Sequence, residues 1–121
     1  MINKHASAKW NGTIKEGKGS ISIESGALKD QPYGFNTRFE GEKGTNPEEL
    51  IAAAHASCFT MALSMILEKN GIDPTKHELQ TKCIISLDKE GEGFAVKKSH
   101  LIFETALNGA DQEAFEQSLQ Q

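Results

Sequence analysis

The segment "NPEELIAAAHASCFTMALSMILEKNG" constrains this chain most, because it reads as one long helix in a sequence of only 121 residues. Thr45 or Asn46 can cap its start, Pro47 suits the first turn, and Glu48 and Glu49 favour the positive end of the helix dipole. Gly71 is a typical residue just past a helix end, and Pro74 stands beyond it. The spacing therefore predicts a helix from about Pro47 to Asn70. At 1.5 Å per residue such a helix is about 35 Å long, so the rest of a small domain must be arranged around it.

Alternating segments surround the helix. "HASAKWNG" puts Ala6, Ala8 and Trp10 on one face and stops at Asn11-Gly12, a hairpin signal. "GSISIES" alternates Ile21 and Ile23, and "ALKDQPYG" is turn-rich. "FNTRFE" reads as a short strand with Phe35, Thr37 and Phe39 on one face and Asn36, Arg38 and Glu40 on the other. After the helix, "KHELQTKCIISLD" and "FAVKKSHLIFETAL" read as two strands joined by a turn in "KEGEG". The first carries Leu79, Thr81, Cys83, Ile85 and Leu87 on one face. A second helix is expected from Asp111, with Ala114, Phe115 and Leu119 at helical spacing, and it stops at Gln121 with no cap. Together these elements predict one α+β domain over residues 1–121, with an antiparallel sheet packed on the long helix.

Composition narrows the function classes. The formal charge of −4 and interspersed lysines and acids exclude a basic nucleic-acid surface. The N-terminal residues lack a signal-peptide pattern, and the long helix is interrupted by His55, Ser57, Thr60 and Ser64, which argues against a membrane span. The expectation is a cytoplasmic protein whose two cysteines are thiols.

Cys58 sits in mid-helix among small residues, where a cysteine is either core or a reactive thiol. Reactivity needs a cation beside the sulfur or a helix N-terminus, and Cys58 is three turns in. Arg38, the chain's single arginine, is the best candidate cation; the other reading makes it a surface residue on a wet strand face. Glu48 and Glu49 either serve the helix dipole or orient Arg38. Glu48 and Cys58 are roughly 15 Å apart along one helix, so a compact site needs either Arg38 to span the gap or a partner's helix to close it. Small residues at Ala52, Ala53, Ala54, Ala56 and Ser57 invite such a second helix. Cys83 reads as core. His55 and Cys58 could chelate a metal, but no further ligands stand at a recognisable spacing, so neither metal nor cofactor is expected.

The stretches "AKWNG", "GKGSISIESGAL", "QPYGFNTRFEGEKGTNPEELIAAAHASCFTMALS" and "SLDKEGEGFAV" together resemble the OsmC/Ohr family of organic hydroperoxide reductases, in its osmotically inducible branch. The resemblance implies an intertwined homodimer with sites at the interface and an antiparallel sheet wrapped on a long central helix. It implies a metal-free, flavin-free thiol peroxidase that reduces organic hydroperoxides, and hydrogen peroxide as well, in oxidative-stress defence. The cysteine of the family's A-H-A-x-C-F pattern maps to Cys58, its arginine to Arg38 and its glutamate to Glu48. Phe35, Phe39, Phe59 and Met61 become candidate apolar walls of the substrate pocket. Family members continue to a second, resolving cysteine in a C-P-V-S pattern, so the resemblance marks this chain as lacking the usual C-terminal end. An external thiol would then complete the cycle; the alternative is a non-catalytic or turnover-impaired dimeric binding module.

Overall fold

A computed structural model describes residues 1–73, 75 and 78–104. These residues form five strands and two helices, in the order β1 (Ala6–Asn11), β2 (Lys18–Ile23), β3 (Gln31–Tyr33), α1 (Phe35–Phe39), α2 (Pro47–Lys69), β4 (Gln80–Glu90) and β5 (Gly93–Glu104). The α+β class holds, with a long helix and antiparallel pairing throughout, but the described strands make two sheets rather than one: β1-β2-β3 and β4-β5. The chain divides into two compact units, Met1–Leu50 and Ile51–Gln121, with the boundary inside α2. The helix expected from Asp111 lies outside the described residues.

In the first unit, β1 and β2 pair from Ala6↔Ile23 to Asn11↔Lys18, so Asn11-Gly12 does open a hairpin, though its connection is six residues long. Gly19 lies in the middle strand between Trp10 and Tyr33, whose rings approach to 5.5 Å. A Cβ on Gly19 would come within 2.6 Å of both rings, so only glycine lets this aromatic pair close over the strand. Pro32 is tolerated because β3 is an edge strand. Its carbonyl accepts hydrogen bonds from the Thr45 backbone N–H and hydroxyl.

Residues Phe35–Phe39 are a helical turn, α1, and not the strand that their alternation suggests. Over five residues a pattern repeating at two also satisfies a spacing of four, and here local contacts decide. Phe35 and Phe39 lie one turn apart with ring centroids at 4.9 Å, a pairing a strand could not make. The Thr37 hydroxyl accepts from the Gly34 N–H at 2.8 Å and donates to the Gly34 carbonyl at 3.0 Å, closing the start of the turn. Thr37 is buried, and Arg38 is not on a sheet face at all.

Both ends of α2 follow from local chemistry. The Asn46 side-chain oxygen accepts from the Glu49 N–H at 2.8 Å, which makes Asn46 the N-cap and Pro47 the first helical residue. At the other end Gly71 takes φ of 83°. The Gly71 N–H donates to the Glu68 carbonyl and the Ile72 N–H to that of Leu67, a Schellman closure. Ile72 is thereby folded back onto Leu67, and with Leu63 these form the fully buried apolar cluster, at 2–3% exposure, joined by Phe59, Leu79 and Phe103.

β4 and β5 form a long hairpin around a two-residue turn at Gly91-Glu92. Along β4, Thr81, Cys83, Ile85 and Leu87 are half-buried while Gln80, Lys82, Ile84 and Ser86 are exposed, the alternation expected of a sheet with one covered face. That face meets α2: Phe59 packs edge-on to Phe103 at 6.2 Å, and the Thr60 and Thr81 hydroxyls meet at 2.6 Å.

Candidate functional site

Arg38 and Glu48 come together in the first unit. Arg38 is carried by α1, and its Nε and one terminal nitrogen reach the same Glu48 oxygen, Oε1, at 2.9 and 2.7 Å. Glu48 is held at the second helical position of α2 by the Asn46 cap, and its side chain is only 11% exposed. A carboxylate removed from water in this way gives a charged partner real hold, and charge-assisted hydrogen bonds of this type are the strong ones. Glu48 Oε2 is buried with no hydrogen-bond partner, so one acceptor beside the guanidinium is unused. The Arg38 guanidinium also lies over the Phe39 ring at 5.0 Å. Phe35, Phe39, Arg38 and Glu48 are therefore one connected group.

Of the two sequence readings for Glu48 and Glu49, each residue takes one. Glu48 grips the arginine; Glu49 supplies the backbone N–H that the cap receives and leaves its side chain exposed.

Cys58, Phe59 and Met61 belong to the second unit. Cys58 is a free, exposed thiol, ten positions after Glu48 on α2. Phe59 points the other way, onto the buried Leu63–Leu67–Ile72 cluster. Met61 is 71% exposed. The five positions Ile51, Ala54, Cys58, Met61 and Met65 are all exposed, and they follow one another at intervals of three, four, three and four. That interval places them along a single seam of the helix, with Cys58 at its centre. The sequence showed the small residues beside it but not this seam, since the signal is exposure rather than residue type.

One group was missed by sequence reasoning. Cys83, half-buried on the inward face of β4, stands 3.2 Å from the Ser99 hydroxyl and 3.7 Å from His55 Nδ1. Ser99 and His55 are themselves 2.6 Å apart. Among the described residues, no three His, Cys, Asp or Glu side chains are grouped so as to hold a metal ion.

Each unit thus holds one feature with chemical potential, an exposed helical thiol in the second and an arginine held by a buried carboxylate in the first. Residues 40–121 match the family described as OsmC-like protein. Over 119 residues the chain is 56% identical to the peroxiredoxin OsmC of Escherichia coli K12, covering 98% of this chain and 82% of that protein. It is 32% identical over 78 residues to the organic hydroperoxide resistance protein OhrB of Bacillus subtilis, covering 64% of this chain and 57% of that one. The crystal structure of that OhrB superimposes with a TM-score of 0.64 at 26% identity, over 96% of this chain and 84% of that chain. An organic hydroperoxide resistance protein from Elizabethkingia anophelis shares the fold with a TM-score of 0.62 at 21% identity, over 96% and 81%. The chain belongs to the OsmC-like family. The match to the family begins at residue 40, so Arg38 falls outside it.

Proposed function

We propose that this chain is a cysteine-based peroxidase that reduces organic hydroperoxides, and hydrogen peroxide as well, in defence against oxidative stress. The observation that carries the reading is the free, exposed thiol of Cys58 on the long helix of an OsmC-like chain 56% identical to a peroxiredoxin. Cys58 attacks the distal oxygen of the peroxide as thiolate; the O–O bond breaks, the alcohol leaves, and the sulfur is left as sulfenic acid. One external thiol then displaces the sulfenate oxygen as water, forming a mixed disulfide. A second thiol releases Cys58 and departs as a disulfide. Arg38 favours the thiolate and donates to the peroxide oxygens, and Glu48 aims the guanidinium. Phe35, Phe39 and Met61 form the apolar wall that selects organic substrates; Phe59, which the sequence also offered, is taken up by the Leu63–Leu67–Ile72 cluster instead.

The working unit is a homodimer of a single OsmC-like domain over residues 1–121, acting in the cytoplasm. Two features support this. Among the described residues only Leu63, Leu67 and Ile72 are buried apolar side chains, a small core for a chain of this length. On α2, meanwhile, Ile51, Met61 and Met65 are 45%, 71% and 56% exposed. The helix is long and apolar enough by length and composition to cross a bilayer. Its packing on β4 and β5 through Phe59, Thr60 and Leu63 and its regular exposed seam suit a second copy better than lipid. A helix from that copy, laid along the seam, brings a second α2 beside Cys58. A site formed between copies is one of the two ways to close the roughly 15 Å between Glu48 and Cys58 along one helix, the other being a span by Arg38.

Steady-state reduction of cumene hydroperoxide by a dithiol tests the reading. Turnover by the native chain that falls to the uncatalysed rate in Cys58→Ser supports it. A native chain with no turnover, or a Cys58→Ser variant that keeps it, overturns it.

A further inference from the structure

We propose that Cys83, Ser99 and His55 form a second nucleophilic thiol site, which exchanges with small disulfides. It goes beyond the peroxidase reading and does not depend on Cys58. The three side chains converge from separate elements of the second unit. Cys83 stands on β4 opposite Leu101, and Ser99 on β5 opposite Ile85, so the two are diagonal neighbours on the inward sheet face. His55 reaches them from α2.

The distances permit a proton path from the thiol to the imidazole. The Cys83 S–H can donate to Ser99 Oγ at 3.2 Å, and the Ser99 O–H can donate to His55 Nδ1 at 2.6 Å. In that arrangement the imidazole carries its own proton on Nε2 and offers Nδ1 as acceptor. A direct contact between sulfur and imidazole, 3.7 Å, is the longest side of the triangle, which makes the hydroxyl the natural relay. A nucleophile, a base and a group linking them are what an activated thiol needs.

As Cys83 sulfur attacks a disulfide R–S–S–R, its proton passes to Ser99 Oγ while the Ser99 proton passes to His55 Nδ1. A new bond forms between Cys83 sulfur and one sulfur of the disulfide, and the S–S bond breaks. The other sulfur leaves as RS⁻ and takes the proton from the imidazolium as RSH. Cys83 is oxidised to the mixed disulfide and one R–S group is reduced, so no further reagent is needed. Cys83 is half-buried while His55 and Ser99 are exposed, which suits small disulfides over protein ones.

The test uses the full chain carrying Cys58→Ser, so that Cys83 is the remaining cysteine, and 2-hydroxyethyl disulfide as probe. Adduct formation is followed by intact mass in the folded protein and again in urea, where Cys83 is an ordinary thiol. The account predicts that the folded chain reacts roughly tenfold faster or more than the unfolded one, as general-base assistance supplies. Ser99→Ala removes that advantage, and Ser99→Thr, which keeps the hydroxyl, restores most of it, with circular dichroism confirming that each variant is folded. A folded chain that reacts no faster than the unfolded one overturns the proposal. So does a folded Ser99→Ala chain that keeps the full rate.

Discussion

Arg38 has two of its nitrogens on one oxygen of Glu48, and this fixes what single substitutions should do. Arg38→Lys keeps the charge but cannot reproduce the two-pronged grip, since an ammonium is a point donor on a flexible stem. Losing one charge-assisted hydrogen bond is worth about 1.5–3 kcal/mol, so kcat/KM for an organic hydroperoxide should fall roughly 10- to 100-fold, with the fold intact by circular dichroism. Glu48→Gln leaves an amide beside the guanidinium and should cost about tenfold, less than Arg38→Lys, because it loosens the arginine without removing it. An equal or larger loss in Glu48→Gln would mean that the carboxylate does more than position. Cys58, Arg38 and Glu48 could all be picked out of the sequence as a lone arginine, a thiol and a helix-start acid. Helix-start chemistry alone does not separate the two adjacent acids; the family resemblance is what singled out Glu48, the acid that Arg38 grips.

Among the elements, the ends of α2 were the most legible. Asn46, Pro47 and Gly71 act through interactions spanning a few residues, so their sequence signals are complete. The inward face of β4 was equally clear, since the alternation from Gln80 to Leu87 has one reading. Phe35–Phe39 was misread because five residues hold too little periodicity, and the outcome rested on the Gly34–Thr37 hydrogen bonds and the Phe35–Phe39 stack. Two glycines give tests at this scale. Gly71→Ala puts a side chain at φ of 83° and should destabilise the α2 terminus by about 1–2 kcal/mol, seen as a melting temperature several degrees lower. Gly19→Val drives a branched side chain into Trp10 and Tyr33 and should cost about 2 kcal/mol or more. Trp10 is the only tryptophan, so its fluorescence reports that change directly. An unshifted Trp10 spectrum and melting curve in Gly19→Val would contradict the packing described for the first sheet.

For the molecule as a whole, the proposed second copy of the chain would account for both the small buried cluster among the described residues and the exposed seam of α2. The sequence could suggest a partner helix from its alanines, yet residue size cannot say which face of α2 the sheet covers. Contacts from Phe59, Thr60 and Leu63 to one side leave Ile51, Ala54, Cys58, Met61 and Met65 on the other. Replacing Met61 with Asp places a charge in that seam and should turn a dimer into monomer in analytical ultracentrifugation, with most peroxide turnover lost alongside. A monomeric native chain would remove the argument for a shared site. The central claim, that Cys58 is the sulfur that meets the peroxide, is tested most directly by adding one equivalent of an organic hydroperoxide to the reduced, native protein and mapping the product by peptide mass spectrometry with a sulfenic-acid trap. The account predicts the trapped adduct at Cys58 and its absence in Cys58→Ser; a native chain that leaves Cys58 unmodified while the peroxide is consumed would contradict it.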